Sequence, residues 1–515
     1  MSRFSWRKGR RIARAVAQTV VVVITATLLW GARPAQALPF DAERGRLAVL
    51  DYDFPGAHAI LDGGEAPDVV VERARLALYE GACDEAQRLL ERPDLEDDDT
   101  FGMLYAIAKG CARATAGTFV VHDEAAGVWV RFQDDEDRAL LPLLVQVTTE
   151  ARRALARDLG ADLPNPIRID MVRDQFALAA HTGLPEEAAQ TTGTVAVAKW
   201  GRVIMLSPRA TEDGYPWADT LAHELSHLVV SMITRDRAPL WLQEGVAKRQ
   251  EVRWRPLTRF DDVPSPDAVA WEGIEAGIAL PLTGLGPSIA MLPSPEQAMV
   301  AFAEVASFVR FWVDENGAES LPKLLIALKE LPPDEGAAEA IAAVSGGVSF
   351  ETWEQRWRAR LAATTPTAPA ELSPARALPV KGVEAARHRR LAQLLQHRGH
   401  HEPAVTQVQR AREIFPRDAS LRCLHAVNLR STGRETDAAA ALGTQDDILR
   451  PSGRWWSLHD FFELGRGEPQ ARRLAVGREP YNPPVACLEL EAGELPDEPV
   501  MRILCEAARR LPPRE

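Results

Sequence analysis

Apolar positions change period twice along the chain. From residue 38 to about 116 they recur at three- and four-residue spacing, which predicts short helices over Ala42 to Asp51, Pro55 to Leu61, Val69 to Tyr79, Asp84 to Leu90 and Phe101 to Ala112. Alternation then takes over. Thr118 to His122, Val128 to Phe132 and Ile167 to Val172 read as strands, with a long helix over Asp137 to Leu159 between them. Val195 to Ala198 and Val203 to Leu206, joined through Lys199-Trp200-Gly201-Arg202, read as a hairpin. Periodicity stops in the Thr-, Pro- and Ala-rich stretch from Thr364 to Pro379 and resumes as helix beyond it.

The last helical region repeats itself. Gly399 precedes Ala404 and Gly433 precedes Ala438 by the same five residues, and the two pairs stand 34 residues apart. That is the period of tetratricopeptide helix pairs, and Gly467 and Phe415-Pro416 agree with it. Gly81 and Ala86 show the same offset near the N-terminus. Stacked helix pairs leave a concave face that binds protein segments, so a protein partner is one expectation for these repeats. A brace for the neighbouring domain is the other. The chain therefore divides into residues 1–37, a helical repeat-like region 38–116, a mixed domain 117–363, a Pro/Ala-rich linker 364–380 and tetratricopeptide-like repeats 381–515.

The first 37 residues hold seven bases and no acid. Arg3 to Arg14 form a basic segment, Ala15 to Gly31 an apolar run, and Ala35-Gln36-Ala37 a small-x-small cleavage site. An export signal cut after Ala37 is expected, with an uncleaved anchor helix as the alternative. Either form puts the rest of the protein outside the cytoplasm, in the periplasm or beyond. Without this segment 53 bases face 73 acids, a balance that argues against nucleic acid as a partner. Five cysteines in 515 residues are not a disulfide scaffold. A bridge such as Cys83 with Cys111 is permitted by an oxidising compartment, but all five read first as small buried apolar residues.

Chemistry concentrates after the predicted hairpin, in Asp219-Thr220-Leu221-Ala222-His223-Glu224-Leu225-Ser226-His227. On a helix His223 and His227 lie one turn apart, so both imidazoles reach a single ion while Glu224 stands beside them. Leu221, Leu225, Leu228 and Met232 form a separate apolar stripe on the same helix. After a reversal at Arg235 to Pro239, a second helix starting near Leu240 returns and brings Glu244 towards the two histidines. Two His and one Glu, with water as fourth ligand, is the zinc ligand set of thermolysin-like catalytic sites. Asp219 is a helix cap or a second acceptor for His223, with capping favoured. His397, His400 and His401 read as a solvated turn.

The run from Gly214 to Glu251 resembles a bacterial zinc metallopeptidase of the gluzincin clan, of the MA-type peptidase-like family that is often flanked by tetratricopeptide repeats. Thr192 to Ala196, Ser207-Pro208-Arg209, Trp241-Leu242-Gln243-Glu244-Gly245, Ala301 to Val305 and Trp353 to Leu361 extend the likeness over most of the central domain. The resemblance implies an α+β, thermolysin-like zincin domain of mixed sheet and active-site helices. It also implies Zn2+ held by His223, His227 and Glu244, with Glu224 as the catalytic residue. Many gluzincins supply a Tyr or His downstream for the oxyanion. Here that segment reads Ala301-Phe302-Ala303, and Tyr215 is another candidate, so the donor stays unassigned. The expected activity is hydrolysis of a peptide or protein substrate by metal-activated water, with Glu224 as general base. The alternative is a repeat adaptor that binds zinc without catalysis, with membrane contact limited to the N-terminal segment.

Overall fold

The computed structural model describes residues 40–462, apart from 96–98, 211–214, 370–371, 375–380, 453–454, 456–457 and 460–461. The expected export signal, Gly467, Cys487, Cys505 and the repeats expected beyond residue 462 lie outside the described residues. The protein is α+β, with one mixed five-stranded sheet among many helices.

Five helices come first: α1 (Phe40–Leu50), α2 (Phe54–Leu61), α3 (Pro67–Glu80), α4 (Cys83–Leu90) and α5 (Asp99–Thr115). Gly81 takes φ 78° between α3 and α4, and Ala86 is fully buried where α4 crosses its neighbour. The chain turns there because glycine enters the left-handed region without strain. Of the two readings open for these cysteines, the structure has the permitted bridge rather than the favoured free thiols: Cys83 and Cys111 form a disulfide between α4 and α5. Both sulfurs lie inside the helical core, so apolar burial and bridging coincide.

The sheet contains β1 (Phe119–Asp123), β2 (Val128–Phe132), β3 (Ile167–Val172), β4 (Ala196–Lys199) and β5 (Arg202–Leu206), in spatial order β1-β2-β3-β5-β4. The β2-β3 and β3-β5 pairs are parallel and the two outer pairs antiparallel, so β4 is an edge strand. One face is apolar, with Val130, Ile169, Met171, Val203 and Met205 packed under α6 (Leu141–Leu159) and α9 (Trp217–Thr234). On the other face Arg202 is fully buried and donates to Asp170 at 2.6 Å, close to Cys111 and His181. Between β3 and β4 lie α7 (Gln175–Thr182) and α8 (Glu186–Thr192). The predicted long helix starts later than its periodicity suggests, because 135–140 forms a 3-10 turn before α6. There Asp137 is buried as acceptor for Ser207 and Arg209.

Further helices complete the central unit: α10 (Leu240–Gln250), α11 (Pro266–Glu275), α12 (Pro295–Asn316), α13 (Ser320–Glu330), α14 (Ala337–Val344) and α15 (Phe350–Thr364). The segment after α15 runs against this unit rather than away from it. Ala368 N–H donates to Glu272 at 2.8 Å and Ser373 is buried. Then α16 (Lys381–His397), α17 (His401–Ile414), α18 (Ala419–Ser431) and α19 (Glu435–Leu442) form two helix pairs. Gly399 and Gly433 turn each pair at positive φ, and Ala404 and Ala438 are fully buried at the crossings.

Candidate metal centre

Local sequence fixes the two helices that build the site. In α9 Leu221, Leu225 and Leu228 are buried against the sheet, with Met232 half-buried at the end of the stripe. That orientation turns His223 and His227 to the opposite side. The helix stops at Arg235 and Asp236, which take φ 51° and 59°, and α10 begins directly after Pro239. Gly245 lets α10 sit tightly on α12. A Cβ there would stand 2.8 Å from the Val305 carbonyl oxygen and 2.4 Å from Val309 Cγ2. The side chain of Glu244 is thereby carried to the histidines.

His223 Nε2 and His227 Nε2 are 3.3 Å apart, and Glu244 Oε2 lies 3.3 Å from the first and 3.6 Å from the second. For a tetrahedral ion bonded at roughly 2.0–2.2 Å, neighbouring donor atoms stand about 3.3–3.6 Å apart. The three residues expected to act together thus have the spacing of one face of such a tetrahedron. Among the described residues they are the group that can hold a metal. Each side chain keeps 12–15% exposure, enough for a fourth position to meet solvent.

The tautomers are fixed from outside. His223 Nδ1 is 3.2 Å from Glu251 Oε2 and His227 Nδ1 is 3.3 Å from Gln243 Oε1, both acceptors. With a metal in the triangle each ring would keep its one proton on Nδ1, towards these acceptors, and leave the Nε2 lone pair for the ion. Lys248 contacts both oxygens of Glu251 at 2.7 Å, so the lysine supports the site by holding the acid that orients His223. Glu251 and Gln243 escaped the sequence reading. Their available signal was helical: Glu251 follows Glu244 by two turns, and Gln243 precedes it directly.

Burial and charge act against each other around the triangle. Burial opposes ionisation of His223, but its hydrogen bonds to Glu244 and Glu251 outweigh this and raise its pKa. For Glu244 burial is likewise outweighed, by the charge of His227 and by hydrogen bonds from both histidines, and its pKa falls. Burial raises the pKa of Glu224, an effect offset in part by the two histidines. A proton and a divalent metal compete for the same Nε2 lone pairs, so the field that holds one draws the other.

Glu224 Oε2 accepts the Ala198 N–H at 2.7 Å, which ties α9 to edge strand β4. Asp219 neither caps the helix nor reaches His223. It is buried and receives Arg255 through two bonds of 2.7 and 2.8 Å, together with Trp254 Nε1 at 3.0 Å. The guanidinium claims both oxygens because a planar fork matches a carboxylate better than one ring N–H does. Phe302 faces His223 edge-on, with ring centroids 6.5 Å apart, and brings no hydroxyl. Tyr215 donates its hydroxyl to the Leu206 carbonyl and is buried. His401 Nδ1 lies 3.0 Å from Asn428 Oδ1, inside the repeat packing.

His223 and Glu224 open onto a cavity of about 870 Å³ whose other wall comes from the segments that follow α17 and α19, at Phe415, Arg417, Leu449 and Arg450. The repeats are joined to the central unit by the loop after α10. Phe260 packs into the repeat core and Arg259 pairs with Asp446 at 2.6 Å. No protein-family model matches the chain, and no curated protein matches it either.

Proposed function

We propose that the protein is an exported zinc-dependent peptidase whose central unit is a thermolysin-like zincin domain. The observation that carries this reading is the His223, His227 and Glu244 triangle with both Nδ1 positions already committed to acceptors. Such a donor set suits Zn2+, which takes imidazole and carboxylate ligands in tetrahedral geometry. When bound, the ion supplies Lewis acidity and lowers the pKa of its water to about 7.

The remaining steps belong to the chain. Glu224, next to a ligand in sequence and raised in pKa by burial, accepts the proton of the attacking water and passes it to the leaving amine. Ala198 N–H holds the carboxylate of Glu224 in place for this. Export is supported by the basic, apolar and small-residue order of the first 37 residues and by the Cys83 to Cys111 bridge, which persists in oxidising compartments. Among the described residues no helix is long and apolar enough to cross a membrane.

One observation favours the rival reading of a zinc-binding adaptor without catalysis: Phe302 and Tyr215 offer the oxyanion no donor. Activity separates the two. Glu224→Gln should lower peptide cleavage by roughly 10²- to 10⁴-fold while stoichiometric zinc, measured by elemental analysis, is retained. Intact protein that carries zinc and cleaves nothing in a broad peptide library is the adaptor. Protein without stoichiometric zinc is neither.

A further inference from the structure

The cavity in front of His223 and Glu224 is shared between the central unit and the repeats, and its two sides differ in how their charges are satisfied. Each acid on its wall has a partner within the protein. Asp219 and Asp261 share Arg255, Glu251 is held by Lys248, Glu224 takes the Ala198 N–H, and Asp418 caps α18 through the Leu421 N–H. Arg417 and Arg450, from the repeat side, are exposed, and neither has an ion pair or side-chain hydrogen bond among the described residues. Shortage of acids is not the cause, since 73 acids outnumber 60 bases. Neighbouring arginines on the same repeats are satisfied: Arg434 pairs with Glu402 and Arg422 bonds the Pro416 carbonyl. Among the described residues these two guanidinium groups are therefore left without a partner on the wall of the cavity that holds His223 and Glu224.

Resting on the peptidase reading, we propose that Arg417 and Arg450 form a carboxylate-recognising subsite and that the cleft takes acidic peptides. Guanidinium groups bind carboxylates through paired hydrogen bonds, and a partly walled cleft weakens solvent screening of that attraction. The rest of the wall is suited to peptide, with Val252, Val263, Met299, Phe302, Phe415 and Leu449 contributing apolar surface. The repeats thus choose the substrate while the central unit cleaves it. Their hold on the cleft through Phe260 keeps the subsite at a fixed reach from His223.

The test uses the full chain carrying Glu224→Gln, so that binding is read without turnover. The probe is a fluorescein-labelled pool of eight-residue peptides containing two Glu, measured against the same pool with Gln in their place. The acidic pool should bind about tenfold tighter at low salt, and Arg417→Ala with Arg450→Ala should erase that preference. Arg417→Lys with Arg450→Lys should restore part of it. Equal binding of the two pools, or a preference that survives the double alanine variant, overturns the proposal. Absence of zinc and of hydrolysis in the unmutated protein would sink the peptidase reading alone, because this binding measurement depends on neither. An active peptidase with no preference for acidic peptides would sink the subsite alone.

Discussion

Glu251 Oε2 stands 3.2 Å from His223 Nδ1, while Lys248 holds both oxygens of the same carboxylate at 2.7 Å. The pair fixes which ring nitrogen of His223 faces Glu244. Glu251→Gln keeps the shape but loses the charge, and Lys248 then has no carboxylate to hold. Zinc affinity should fall about 10- to 100-fold, read by competition with a chromophoric chelator. Unchanged affinity would show that His223 needs no outside support.

Gly245 is a packing requirement with a consequence for the position of Glu244. Gly245→Ala puts a methyl group 2.8 Å from the Val305 carbonyl oxygen, so α10 must move away from α12 and take Glu244 with it. A stability loss of about 1–3 kcal/mol by urea unfolding is expected, accompanied by weaker zinc binding. Retention of full zinc affinity would separate the close approach from the ligand's position.

Arg255 with Asp219 is a buried pair, 7% and 11% exposed. Removing one partner strands the other charge in the interior. Arg255→Met strands Asp219 and also Asp261, which shares the same guanidinium, and should destabilise the protein by about 3–5 kcal/mol, while adding Asp219→Leu should recover part of the loss. Calorimetric unfolding of the single and double variants measures the coupling, and simple additivity would contradict it.

Glu304, fully buried on α12, has one oxygen near the Leu280 N–H and its pKa is pushed up by burial to about 8, against an ordinary 4.5. The folded state therefore keeps a proton that the unfolded chain releases. The stability this supplies is complete below about pH 4.5 and is lost as pH rises through about 8. Glu304→Gln should remove this dependence, so that the thermal midpoint of the variant exceeds that of the parent above pH 8. Parallel pH profiles would place the ionisation elsewhere.

The Cys83 to Cys111 bridge closes 28 residues of the helical N-terminal region. Replacing both with Ser should cost about 3 kcal/mol, seen as a lower urea midpoint, and a reducing agent should lower the parent in the same way. No response to reductant would mean that the bridge carries no stability.

Element type was readable wherever one face of a segment had to be buried. Val128 to Phe132 and Ile167 to Val172 are strands with the predicted limits, and Trp217–Thr234 is a helix because its leucines recur on one side. Asp219 was misassigned because its partner Arg255 lies 36 residues away, beyond any local period. The bridge between Cys83 and Cys111 likewise depended on how α4 meets α5.

Sequence alone placed His223, Glu224 and His227 on one helix, since a spacing of four is a property of the helix itself. It could suggest Glu244 as third ligand only through an assumed reversal. Tertiary structure decided the donor spacing, the acceptors Glu251 and Gln243 that set the ring tautomers, and the wall of repeats across the cavity. Those features arise where chain segments far apart in sequence pack against each other. Local periodicity carries no information about the distance between side chains that meet only after the core has closed.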